Sequence, residues 1–155
     1  VKQVLTADAV DLLAELARAD ARFVVVGGHA LAVHGVSRAT VDLDVWVEPS
    51  VDNAARVVLA LRRFGAALQS HGVTEADFAR PGAIYQIGLP PNRIDVLTEL
   101  SGVGFEQAWT DRVMVEVDGV AVPFLGLVTL RENKRASGRT KDLADLELLD
   151  RLSGR

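Results

Sequence analysis

The chain has 155 residues, 49% hydrophobic and 25% charged, a balance that excludes a disordered protein and lets one domain bury a substantial core. Its net charge of −4 supplies no overall attraction to nucleic acid, so such a partner needs a local basic patch. The absence of cysteine excludes disulfides, thiolate metal sites and a cysteine nucleophile.

Thr6 followed by "ADAVDLLAELARAD" predicts a capped helix with Val10, Leu13, Leu16 and Ala17 on one face. "ARFVVVGG" predicts a buried strand ending in glycines, and "HALAVHG" a short helix stopped by Gly35. "TVDLDVWVE" is a strand of period two ended by Pro49. "SVDNAARVVLALRRFG" is a helix N-capped near Ser50 or Asp52 and closed by Gly65. Gly72 to Gly82 is irregular, with one helical turn expected. "AIYQIGL" and "RIDVLTEL", joined by "PPN", form a hairpin or meander, and "FEQAWTD" is a short helix. "RVMVEVDGVAVPFL" is a hairpin turning at Asp118-Gly119. "LVTLRENKRAS" and "TKDLADLELLDRL" are two closing helices. This order predicts an α/β (α+β) fold, with a mixed sheet covered by helices on at least one face, as a single domain over 1–155.

The longest apolar run, Phe23 to Val36, is interrupted by glycines, His29 and His34. It falls short of the roughly 20 residues that span a bilayer. Lys2, Asp8, Asp11 and Glu15 lie where a signal peptide needs an uncharged stretch. The expectation is a cytoplasmic protein with no membrane partner.

"VDLDV" places two carboxylates inside an apolar strand. Side chains alternate along a strand, so Asp42 and Asp44 share one face while Val41, Leu43, Val45 and Val47 take the other. Two carboxylates a pleat apart repel unless a cation neutralises them, and close oxygen ligands suit a hard divalent ion such as Mg²⁺. With thirteen aspartates in the chain, one Asp-x-Asp arises about once by chance, so the pair alone decides nothing. Two further features add weight. Asp95 lies in "RIDVL", a second strand with charge inside an apolar run, where a third carboxylate can complete a two-metal site. Gly27-Gly28 ends a strand and opens a helix, a place where backbone amides hold phosphate.

Gly27-Gly28, thirteen intervening residues, "DLD" and then "IDV" resemble the signature of the nucleotidyltransferase superfamily. The longer string "GGHALAVHGVSRATVDLDVWV" is similar to that of minimal bacterial nucleotidyltransferases, including AbiEii-type toxins of toxin–antitoxin systems. The resemblance covers about Val24 to Leu97 and extends more weakly to "ENKRASGRTKDLADLELL". It implies a nucleotidyltransferase-like core over about 22–125 and a C-terminal helical motif over about 126–153. It also implies that Asp42 and Asp44 hold two Mg²⁺ ions (or Mn²⁺), with Asp95 sharing one beside the acceptor hydroxyl. The glycine turn would hold the triphosphate. The implied reaction is attack of an acceptor hydroxyl, on RNA, protein or a small molecule, at the α-phosphorus of an NTP, releasing pyrophosphate. A protein partner such as an antitoxin is a further implication. Where many members carry a serine after the glycine this chain has His29, which can contact a phosphate without reproducing a small hydroxyl.

Arg38 and Thr40 precede the aspartates; Arg38 can bind triphosphate, or pair with Asp42 or Asp44 and hold the strand. "RENKRASGRTKD" gathers Arg131, Lys134, Arg135, Arg139 and Lys141. Such a run is either a solvated corner or a cationic wall for the triphosphate or an RNA acceptor. The resemblance favours the wall for Lys134 and Lys141, with Asp142 and Asp145 orienting the cations or capping the last helix. Trp46 shares the face of the aspartates, where it stacks a nucleobase or simply packs. His34 reads as a packing or hydrogen-bonding residue at a helix end. Two rival readings use the same residues: a non-catalytic module of this fold that binds a protein partner, and a metal-dependent phosphohydrolase.

Overall fold

The computed structural model describes residues 5–37, 42–89 and 92–153. Arg38, Thr40 and Val41 lie outside the described residues, and so do the expectations attached to them.

Helix α1 (Ala7–Arg18) opens at Thr6, whose hydroxyl accepts the Ala9 N–H at 3.1 Å. Such a cap is worth about 1 kcal/mol. Its buried stripe runs through Ala9, Leu12, Leu13 and Leu16, with Ala17 exposed. Of the face expected at Val10, Leu13, Leu16 and Ala17, Leu13 and Leu16 are buried and Val10 packs partly buried against the core, while Leu12 turns inward at Ala17's expense because it carries more apolar area.

Strand β1 (Phe23–Val26) runs directly into helix α2 (Gly27–Val33). Strand β2 (Leu43–Val47) leads to helix α3 (Val51–Phe64), capped by Ser50 and closed by Gly65 in the left-handed region. Asn53 is fully buried in the first turn of α3. It accepts the Arg22 N–H at 2.7 Å and donates to the carbonyls of Arg22 and Glu48, each at 3.0 Å. One side chain thereby ties the start of β1, the end of β2 and α3 together.

The single turn α4 (Glu75–Phe78) precedes β3 (Ile84–Ile87) and β4 (Ile94–Leu97), an antiparallel pair. Helix α5 (Phe105–Asp111) is followed by the hairpin of β5 (Val113–Val117) and β6 (Val120–Phe124). Its turn residues Asp118 and Gly119 both have positive φ, +48° and +80°, as a tight two-residue hairpin turn requires. Helices α6 (Leu127–Ser137) and α7 (Thr140–Ser153) close the chain.

The six strands form one mixed sheet in the order β3-β4-β2-β1-β6-β5. β1 is antiparallel to β2 and parallel to β6, while β2 is parallel to β4. The sheet is covered on both faces. Phe23, Val25, Leu43, Val45, Val47, Ile94 and Val96 pack with α1 and α3 through residues such as Leu12, Leu16, Val57 and Leu61. On the opposite face Val24, Val26 and Trp46 pack with Leu31, Phe105, Leu130 and Leu149 from α2, α5, α6 and α7. The central strand β1 is therefore buried on both sides, as its continuous apolar run implies. No helix among the described residues is long and apolar enough to cross a membrane.

Candidate active site

Because β1 is antiparallel to β2 while β2 and β4 are parallel, the C-terminal end of β1 meets the N-terminal ends of β2 and β4. Asp44 is the register partner of Val26 on one side and of Asp95 on the other. The two carboxylates belong to adjacent parallel strands at the same level, beside the first residue of α2. Leu43 and Val45 face the other core, so Asp44 shares its face with Trp46.

Gly27 explains how the first turn of α2 approaches this point. Its φ is +69°, and a Cβ added there would lie 2.3 Å from Asp44 Oδ2. Only glycine accepts both the left-handed backbone and the carboxylate against it.

The electrostatics of Asp44 follow from this crowding. Burial pushes its carboxyl up to about 6, and the charges of Asp95 and Asp42 push in the same direction. Arg93 and Lys141 pull it partly back. Asp42, just before β2, accepts the backbone N–H of Arg93 at 3.0 Å, and the N–H of Leu43 donates to the Arg93 carbonyl at 3.0 Å. The Arg93 guanidinium lies beside Asp95, with Nε 3.0 Å from Oδ1. The two charges are close, yet the N–H does not aim at that oxygen well enough for a hydrogen bond.

Arg93 thus touches two of the three carboxylates and is felt by the third. It was not singled out from sequence, although a signal was present: two residues before Asp95 in an extended segment, it shares the Asp95 face.

The donor chemistry suits a hard divalent ion, since Asp44 and Asp95 are register partners on adjacent strands and Asp44 is raised by burial and by the neighbouring carboxylates. Among the described residues, however, no three His, Asp or Glu side chains stand ready as a metal-holding group. Asp42 is committed to the Arg93 amide and Asp95 to its guanidinium.

The remaining expected residues divide. Lys141, exposed on α7, contributes its charge at Asp44. Lys134 is buried, 3.2 Å from Asp142 Oδ1 and 3.0 Å from Asp145 Oδ2, and burial lowers its pKa despite these partners. Its ammonium joins α6 to α7 and is not presented to a ligand. Arg139, largely exposed, pairs with Asp142 at 2.8 Å. His29 is buried within α2. Gly28 follows Gly27 in the first turn of the same helix. His34 Nε2 is 2.8 Å from the Leu125 carbonyl, at the end of α2. Trp46 is buried and meets the Phe105 ring edge-on, centroids 5.1 Å apart, so it packs and offers no stacking face.

Against known proteins, no family profile matches this chain and no curated protein matches it significantly.

Proposed function

We propose that this chain is an Mg²⁺-dependent nucleotidyltransferase of minimal size, moving NMP from an NTP to a hydroxyl on RNA, protein or a small molecule. The observation that carries the reading is the register pairing of Asp44 with Asp95, set against a glycine turn whose first residue must be glycine to clear Asp44. Asp44, Asp95 and, after release from the Arg93 amide, Asp42 would hold the metal. When bound, Mg²⁺ neutralises the polyphosphate and the charge that develops on it.

The chain's own residues supply the rest. Asp95 accepts the proton of the acceptor hydroxyl as its oxygen attacks the α-phosphorus. The bond from that phosphorus to the bridging oxygen breaks, and pyrophosphate leaves with the electron pair. Lys141 and Arg93 add positive charge around the departing group. The toxin–antitoxin setting and an antitoxin partner belong to the same proposal and rest on the resemblance alone.

Labelled NTPs incubated with the protein, Mg²⁺ and cell extract test this reading. A labelled acceptor is expected from the parent and not from Asp44→Asn with unchanged circular dichroism. Equal labelling by that variant overturns the assignment.

A second reading, a non-catalytic module of the same fold that binds a protein partner, is favoured by one observation: Asp95 and Asp42 are already engaged by Arg93. Calorimetry separates the two, because only the enzyme binds NTP in an Mg²⁺-dependent manner at millimolar concentration.

A further inference from the structure

Arg93 is the residue of the site that neither motif nor composition announced. Its backbone amide holds Asp42 at 3.0 Å and its Nε stands 3.0 Å from Asp95, the register partner of Asp44. Its side chain is one-third exposed whereas that of Asp95 is 13% exposed, so the arginine is the member of the pair more open to solvent while the carboxylate stays partly accessible. The pair is close but poorly aligned, lacking the directed hydrogen bond that makes an arginine–carboxylate pair strong. An ion pair of that kind is held by charge more than by geometry, and a competing cation of higher charge density exchanges with it readily.

We propose that Arg93 is a resident counter-cation which a divalent metal ion must displace from Asp95, so that metal loading and opening of this ion pair are a single event. The inference rests on the metal-dependent reading of the site. The arginine keeps three neighbouring carboxylates from facing one another uncompensated, and on displacement its guanidinium swings outward to the mouth of the site. A polyanionic substrate entering there meets a positive side chain only after the metal has been taken up, which orders the two binding steps.

The direct test is the Nε–H resonance of Arg93 in the full chain, followed by NMR during titration with Mg²⁺, alongside Mn²⁺ affinity measured by electron paramagnetic resonance. The Nε–H signal is expected to shift and to exchange faster with water as metal binds. Arg93→Gln is expected to bind Mn²⁺ about tenfold more tightly. Arg93→Lys, whose ammonium lacks the guanidinium's planar fork, falls between. A signal that stays in place while metal binds overturns the displacement, even if Arg93→Gln binds more tightly, since removal of a nearby charge alone does that. Unchanged or weaker Mn²⁺ binding by Arg93→Gln overturns it too. If neither parent nor variants take up Mn²⁺ at millimolar concentration, the metal-dependent function falls, and this inference with it.

Discussion

At the scale of single residues, Asp44 sits in a place that disfavours its own charge. Its carboxyl is raised to about 6, so the folded chain binds a proton that the unfolded chain releases between the ordinary carboxylate value and that point. Stability of the metal-free protein therefore falls as pH rises through roughly 4 to 6, by an amount on the order of 3 kcal/mol for this group. Asp44→Asn is expected to raise the melting temperature at pH 7.5 without divalent ions and to flatten this pH dependence, read by thermal melts across pH 4 to 8. Mg²⁺ should then stabilise the parent more than the variant. Gly27→Ala is expected to act oppositely on the site. Its methyl group displaces the Asp44 carboxylate and strains a backbone at φ +69°, costing roughly 1–2 kcal/mol. Mn²⁺ affinity and nucleotide transfer should fall further than the melting temperature.

At the scale of elements, α6 and α7 are joined by an ionic network from which water is largely excluded. Burial acts to raise Asp142, but hydrogen bonds from Arg139, Ser137 and Lys134 outweigh it and hold the carboxyl well below the usual carboxylate range. Its stabilising contribution is complete above pH 4 and is lost on further acidification. Lys134→Met leaves Asp142 and Asp145 buried with a major partner gone, and is expected to cost roughly 3–5 kcal/mol in urea unfolding. Arg139→Ala, which removes the exposed donor of the same network and leaves Lys134 and Ser137 on Asp142, should cost less than Lys134→Met, roughly 1–2 kcal/mol in urea unfolding.

The helices and hairpins were legible in the sequence where their signals are local: Thr6 and Ser50 as caps, Gly65 as a stop, Asp118-Gly119 as a turn. The aspartates were legible because charge in an apolar strand is conspicuous. What was not legible depends on residues distant in sequence. The stripe of α1 is chosen by the α3 and sheet surfaces it meets, and the ammonium of Lys134 is claimed by carboxylates of the next helix. Arg93 hides in a run of ordinary strand residues until Asp42 is seen against its amide.

At the scale of the whole molecule, the sheet is a wall between two apolar clusters, and the C-terminal helices are part of the second one. Leu130 and Leu149 are buried against the cluster that holds Val24, Val26 and Trp46. Truncation after Gly126 uncovers this face. The shortened chain is expected to lose near-ultraviolet circular dichroism from Trp46 and to bind a hydrophobic dye, while retaining much of its far-ultraviolet signal. Register carries its own consequence. Asp44 and Asp95 come from segments separated by α3, α4 and β3, and Lys141 arrives only with the last helix. During synthesis the growing polypeptide therefore displays both aspartates well before it possesses the lysine or the cover of α6 and α7. A polypeptide that ends before α6 would carry both aspartates on a sheet lacking the apolar cover of Leu130 and Leu149.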